Sequence, residues 1–232
     1  MRIGPRSGVR WWNVYADPGQ WERQGPEAAA LLRWMTEHLP RPHPELGRPG
    51  PVCPFVRYSA AHRLVWAGSV PGGDALRQDR MCLAIDDAFE VYRRLVRENP
   101  GEARRSTLVT TFPGLTRYEL IDAVHLARKS EAVADGLMLG QFYPGCTVPG
   151  LWNRDFHPLD APVPMLVLRP MMSTDYPFLV SRTEWLYSYF TQLAPDLPRA
   201  LRWSIAERML VCGSEADEIT ALRVHSIDEH AR

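Results

Sequence analysis

The sequence predicts an α+β domain, with a mixed sheet of about four strands and helices packed mainly on one face. Three observations lead there. Apolar residues recur at helical spacing around 26–39, 79–98 and 117–136. Short runs rich in β-branched and aliphatic residues lie between and after those segments. In the middle of the chain the two kinds of segment alternate, and two further helical stretches then close it.

Residues 1–25, with Trp11, Trp12, Pro18 and Gly19, read as an irregular N-terminal arm ahead of a single domain over 26–213, with a polar tail over 214–232. "PEAAALLRWMTEHL" predicts the first helix, with Pro26 at a position that needs no N–H and Ala29, Leu32, Met35 and Leu39 at helical intervals. Prolines 40, 42, 44, 49, 51 and 54 stop it and favour an extended path. "HRLVWAGSV" (62–70) predicts a strand closed by the turn "PGGD". From about Asp79 to Glu98 a long helix carries Met81, Ile85, Phe89, Tyr92 and Val96 on one stripe, with Arg93, Arg94 and Arg97 suiting its C-terminal dipole. "STLVTTF" (106–112) is the second strand. A helix over 117–136 follows and ends at Gly136. "LMLGQFY" (137–143) and "VPMLVLR" (163–169) are the third and fourth strands, and helices around 181–193 and 198–212 complete the order.

Bulk properties narrow the function. Lys plus Arg and Asp plus Glu are 27 each, so the formal charge is zero. A neutral chain lacks the basic surface that nucleic acid or an anionic membrane requires, and neither is expected as a partner. No segment reaches the roughly 18 consecutive apolar residues of a membrane span. The N-terminal "MRIGPRSGVRWW" has no apolar run behind its basic residues, so it is not a secretory signal and a cytoplasmic location is expected. Cys53, Cys82, Cys146 and Cys212 are scattered with no CxxC pair, which argues for reduced thiols rather than a zinc ribbon or a disulfide framework.

The unusual chemistry lies in two proline-rich segments, "RPGPVCPFVRYS" (48–59) and "YPGCTVPGLWNRDFHPLDAPVPM" (143–165). Restrained loops beside strands are frequent carriers of function, although prolines capping strands and aromatics covering a core rim give the same pattern. Cys53 is the sharper feature. Pro54 removes the next backbone N–H, leaving one fewer donor near the sulfur and fixing the chain that presents it. That geometry suits an axial thiolate on haem iron. Such a pair is more often a small buried hydrophobe before a turn. A nucleophilic Cys53 needs a base, for which His157 with Asp155 or Asp160 is available in the other loop. His157 also reads as an axial ligand or as a solvated loop residue. Arg169, at a strand end, suits a carboxylate or propionate, or else a structural pair with Asp175. His43, His62 and His125 have no partner at metal-ligand spacing, and HExxH, GxSxG and glycine-rich phosphate motifs are absent.

"LGRPGPVCPFV", "GLMLGQFYPG" and "NRDFHPLDAPVPMLVLRPMMSTDYPFL", in this order, resemble an uncharacterised domain family seen largely in actinobacteria, domain of unknown function 6875. Its members often sit in specialised-metabolite gene clusters, and the resemblance covers roughly residues 30 to 195. More distantly, the Cys-Pro-Phe element resembles the YqcI/YcgG family, which includes haem-dependent oxygenases of natural-product biosynthesis. That resemblance implies haem b in a pocket containing the Cys53 loop. Cys53 would be the iron ligand, with His157 as the alternative ligand or a distal acid/base group. Phe55, Trp152 and Phe156 would form the apolar walls, and Arg57 and Arg169 would meet propionates or a substrate carboxylate. The sequence departs from the first family at Pro170, where histidine is expected, and at His157, where arginine is expected.

The leading expectation is therefore a haem-dependent oxidoreductase or oxygenase acting on a small amino-acid-derived substrate, with a redox partner and a homodimer as added expectations. The alternative is a non-catalytic protein that binds a small molecule or a pathway partner. A third reading is a cofactor-free cysteine enzyme pairing Cys53 with His157.

Overall fold

The structure, a computed structural model, describes residues 1–210. The tail expected over 214–232, and the last residues of the closing helix and main domain, lie outside the described residues. The α+β class holds, but the sheet has six strands rather than about four. The two additional strands come from the N-terminal arm. β1 (Arg2–Ile3) and β2 (Arg10–Asn13) form a hairpin, and β2 then pairs antiparallel with β3 (Val65–Ser69) through Trp11 opposite Gly68. A short helix, α1 (Pro18–Glu22), follows, capped by the Asp17 side chain accepting from the Gln20 N–H. The arm is ordered because it carries core: Trp11 and Trp21 are fully buried. Trp11 meets Gly68 so closely that a Cβ there would touch its ring and the Arg10 carbonyl.

A buried carboxylate clamps the hairpin. Asp87 accepts from the backbone N–H of Arg6 and Ser7 and from Arg6 Nε. Burial alone would raise its carboxyl; the hydrogen bonds from Ser7 and Arg6 outweigh that and hold it below the usual value.

α2 (Pro26–Arg33) matches the predicted first helix and runs into a π-helical turn at Trp34–His38 before Pro40 stops it. After the proline-rich stretch a short helix, α3 (Val56–Ala61), precedes β3, so the 62–70 strand is shorter than expected and the Cys53 stretch leads into a helix. α4 (Gln78–Glu98), β4 (Thr107–Thr111), α5 (Glu119–Ala134), β5 (Leu137–Phe142) and β6 (Met165–Pro170) agree closely with expectation. A 3₁₀ segment over Ser173–Phe178 and a hairpin of α6 (Thr183–Leu193) and α7 (Arg199–Arg208) follow. The strand order is β1-β2-β3-β4-β6-β5, with β3 and β4 parallel and the other neighbours antiparallel.

Period-two alternation in the central strands feeds two cores. Leu108, Leu166 and Leu168 face α4 and α5, whereas Val65, Ala67, Val109 and Met165 face α2. Helices thus cover both faces, which corrects the one-face arrangement. The two long helices, with the clearest apolar stripes, lie on one side. The opposite side is closed by α2, whose helical spacing is legible but does not say which face it covers, and by shorter helices and loops without a periodic signature.

On α5, His125 donates from Nε2 to the Leu139 carbonyl of β5 at 3.0 Å. Burial, and then the Lys129 charge, push its imidazole from 6.5 down to about 4. The unfolded state therefore takes up the proton first as pH falls. The stability is complete above about pH 6.5 and lost toward pH 4, a contribution on the order of 3 kcal/mol. Urea unfolding of the wild type and His125→Gln at pH 7, 5.5 and 4.5 checks this. The variant should show the flatter acid dependence; equal slopes would remove His125 as the source.

Candidate functional site

A cavity of about 350 Å³ opens on the sheet face that carries α2. Its floor is the same period-two register that builds the core: Val65 of β3, Thr107 and Val109 of β4, and Met165 and Val167 of β6, with Phe142 at the end of β5. Leu31, Trp34 and Met35 form one side. The two proline-rich segments supply most of the remaining wall, from Leu46 through Val56 and from Val148 through Leu159. Tertiary packing thus brings together the two loops singled out by their composition.

The first loop is rigid for a reason the prolines alone do not show. It doubles back on the end of α2: the Cys53 N–H donates to the Leu39 carbonyl and the Val52 N–H to the Arg41 carbonyl, both at 2.9 Å. Pro42 and Pro51 face each other in an isolated antiparallel bridge. The non-proline residues 52 and 53 provide the donors of this ribbon, and its prolines stand where no donor is used. Cys53 is consequently held at its backbone while its side chain takes part in the cavity wall.

The loops lock to each other at Gly47. This residue has φ +76°, and a Cβ there would lie 2.7 Å from both the carbonyl carbon and the oxygen of Trp152. Asn153 Nδ2 donates to the Glu45 carbonyl at 2.8 Å, and the His43 ring centroid lies 5.0 Å from that of Phe156. His38 stacks beside Trp34, which lines the cavity, without lining it itself. Burial, and then His43, push the His38 imidazole below its ordinary value, against an opposing pull from Asp160. Tyr15 sits near Cys53; burial first, and then charge on Cys53, push its phenol up to about 12.

Of the residues singled out from sequence, Cys53, Phe55, Trp152, Phe156 and Arg169 all line the cavity. Arg57 and His157 do not. Arg57 is exposed and donates to the Pro40 carbonyl at 2.7 Å, anchoring α3 rather than reaching inward. His157 is exposed because a side-chain turn at Asn153 and a bond from the Gly150 N–H to the Phe156 carbonyl direct Phe156 inward and leave its neighbour outside. Arg169 takes the structural pairing weighed for it: Nη1 and Nη2 donate to the buried Asp175 at 2.8 and 2.7 Å. Asp175 also accepts the Met172 N–H, so the ion pair fixes the 3₁₀ segment that carries Phe178 to the cavity rim.

Sequence reasoning missed Gly47 and Arg48, although both stand in the "LGRPGPVCPFV" motif that holds Cys53. It also missed Ser59 and Thr107, the hydroxyl-bearing residues of a mainly apolar wall. Their signal is purely tertiary. Among the described residues the wall contains no Asp, Glu, His, Lys or Tyr, and no group of three or more His, Cys, Asp or Glu is placed to hold a metal ion. No helix of the described residues is long and apolar enough to cross a membrane.

A family model described as Domain of unknown function (DUF6875) matches residues 28–204. No curated protein and no solved structure gives a significant match. The matched span contains both cavity loops, the four strands from β3 to β6 and the helices packed on them. The chain therefore belongs to the DUF6875 family.

Proposed function

We propose that the protein is a haem-dependent oxidoreductase or oxygenase of specialised-metabolite biosynthesis, acting on a small amino-acid-derived substrate, with Cys53 as the iron ligand. The observation that carries this reading is the position of Cys53 in the wall of an apolar cavity, on a backbone pinned to Leu39 and followed by Pro54. The likeness of the Cys-Pro-Phe element to the YqcI/YcgG family supports it. The donor set fits: a soft thiol for iron, and Phe142, Trp152, Phe156 and Met165 for the flat body of a porphyrin. At about 350 Å³ the cavity is at the small end of ligand sites, so accommodating a macrocycle needs the 148–159 roof to stand off from the sheet. Haem held there would supply one-electron and dioxygen chemistry, which a thiolate ligand biases toward O–O cleavage.

The chain's own residues have simpler tasks. The ribbon at 39–42 and 51–53 holds the sulfur, the β-sheet floor excludes water, and Arg169 with Asp175 holds the rim. His157 is not proposed as the distal group, because it faces solvent. Nor does the geometry favour the cofactor-free cysteine enzyme, since the wall beside Cys53 provides no histidine or carboxylate as a base. That same lack of an acid/base group favours the second reading, a non-catalytic protein that binds an apolar small molecule.

The test is an absorption spectrum of purified protein titrated with hemin, then reduced under carbon monoxide. A Soret band whose reduced-carbonyl form has the long-wavelength position of thiolate haem is expected, and Cys53→Ala should shift or abolish it. The absence of a saturable Soret band would overturn the haem reading and leave the binding protein. A band unchanged in Cys53→Ala would remove Cys53 as the ligand.

A further inference from the structure

The cavity's charge, apart from its size, specifies what enters it. Arg48 and Arg169 are the two charged side chains on the wall. They are not equivalent. Arg169 is neutralised by the bidentate Asp175 carboxylate. Arg48 is half-buried and donates from Nη1 to the Pro49 carbonyl and from Nη2 to the Val52 carbonyl, each at 3.1 Å. No ion pair to it is found among the described residues. Its acceptors are thus two neutral carbonyls, one of them on the residue before Cys53. The wall therefore carries one positive charge uncompensated by a carboxylate, and no carboxylate of its own.

We infer that Arg48 is the anion-binding residue of this cavity, and that its ligand is an apolar molecule bearing a carboxylate and no free ammonium group. This rests on the cavity being the binding site and reassigns the cationic anchor from Arg57 and Arg169. A guanidinium partly removed from water gains more from a carboxylate than from backbone carbonyls, because charge-assisted bonds are about twice as strong as neutral ones. An ammonium would meet Arg48 with like charge and find no acidic side chain on the wall. An amino acid with free α-ammonium is therefore excluded from the cavity itself. An acyl or aryl carboxylic acid fits, and so does a haem propionate. The chemistry is shared between these two sources, and separate titrations tell them apart.

The experiment titrates the full chain with decanoate, with decanol and with hemin, following tryptophan emission, since Trp34 and Trp152 line the cavity. Wild type, Arg48→Gln, Arg48→Lys and Arg57→Gln are compared. Arg48→Gln should weaken a carboxylate ligand by about tenfold to a hundredfold. Arg48→Lys should recover part of that loss, and Arg57→Gln should bind like wild type. Retained decanol binding in Arg48→Gln would show that the cavity still folds. Decanoate affinity that depends on Arg48 identifies a free acid as ligand; hemin affinity that depends on Arg48, with no decanoate binding, identifies a propionate. Either supports the inference. Unchanged affinity of Arg48→Gln for both acids overturns it, as does failure of both acids to bind wild type. The haem reading fails separately, by the absence of a hemin Soret band, while the decanoate result stands on its own.

Discussion

Gly47→Ala is expected to lower the unfolding free energy by about 2–4 kcal/mol and to loosen the roof of the cavity. Two penalties add. An L-residue at φ +76° costs about 1 kcal/mol because the left-handed region crowds its Cβ. The larger one is contact: the new methyl would lie 2.7 Å from the Trp152 backbone, which cannot rotate aside as a flexible side chain can. Gly8→Ala separates the two. Gly8 has φ +70° but nothing within 4 Å of a built Cβ, so it should pay the conformational penalty alone, about 1 kcal/mol. Urea unfolding of both variants gives the difference, and amide exchange over 44–55 and 148–159 locates it. Equal losses at the two glycines, with unchanged exchange in the loops, would show that the loops do not depend on this approach.

Asp87→Ala should cost about 3–5 kcal/mol, because it strips the acceptor from buried amides and leaves a void under the N-terminal hairpin. The visible ion pair with Arg6 is the lesser part. Arg6 is 53% exposed while Asp87 has no exposure, so water already serves the guanidinium and Arg6→Ala should cost only about 0–1 kcal/mol. The buried backbone N–H of Ser7 has no such recourse once the carboxylate is gone, and that of Arg6 is part-buried. Asp87→Ala should also expose Trp11, read by acrylamide quenching. Similar losses for Arg6→Ala and Asp87→Ala would place the energy in the ion pair and contradict this account. Acid acts in the same direction: the depressed Asp87 carboxyl contributes stability that is present above its unfolded value and lost as pH falls through its folded one.

Local patterns in the sequence determined the helices α2, α4 and α5 and the strands β3 to β6, because each carries a repeat of 3.6 or 2 long enough to read without its neighbours. They also singled out two proline-rich loops, one of them around Cys53, which the fold brings into the wall of one cavity. They did not determine the N-terminal hairpin: β1 and β2 are two and four residues long, too short for a periodic signal, and are held by Trp11 and by Asp87 some eighty positions away. Tertiary structure alone decided which side chains share the cavity. Phe156 and His157 are adjacent in sequence, yet one is buried and the other exposed, because the turn at Asn153 sets the direction of each. Arg48, Arg57 and Arg169 look alike as cations in the sequence. Their partners distinguish them: two neutral carbonyls at the cavity, an outward carbonyl, and a buried carboxylate. A residue's type sets what it can bond to, while the long-range fold sets which partner is within reach and how much water remains to compete for it.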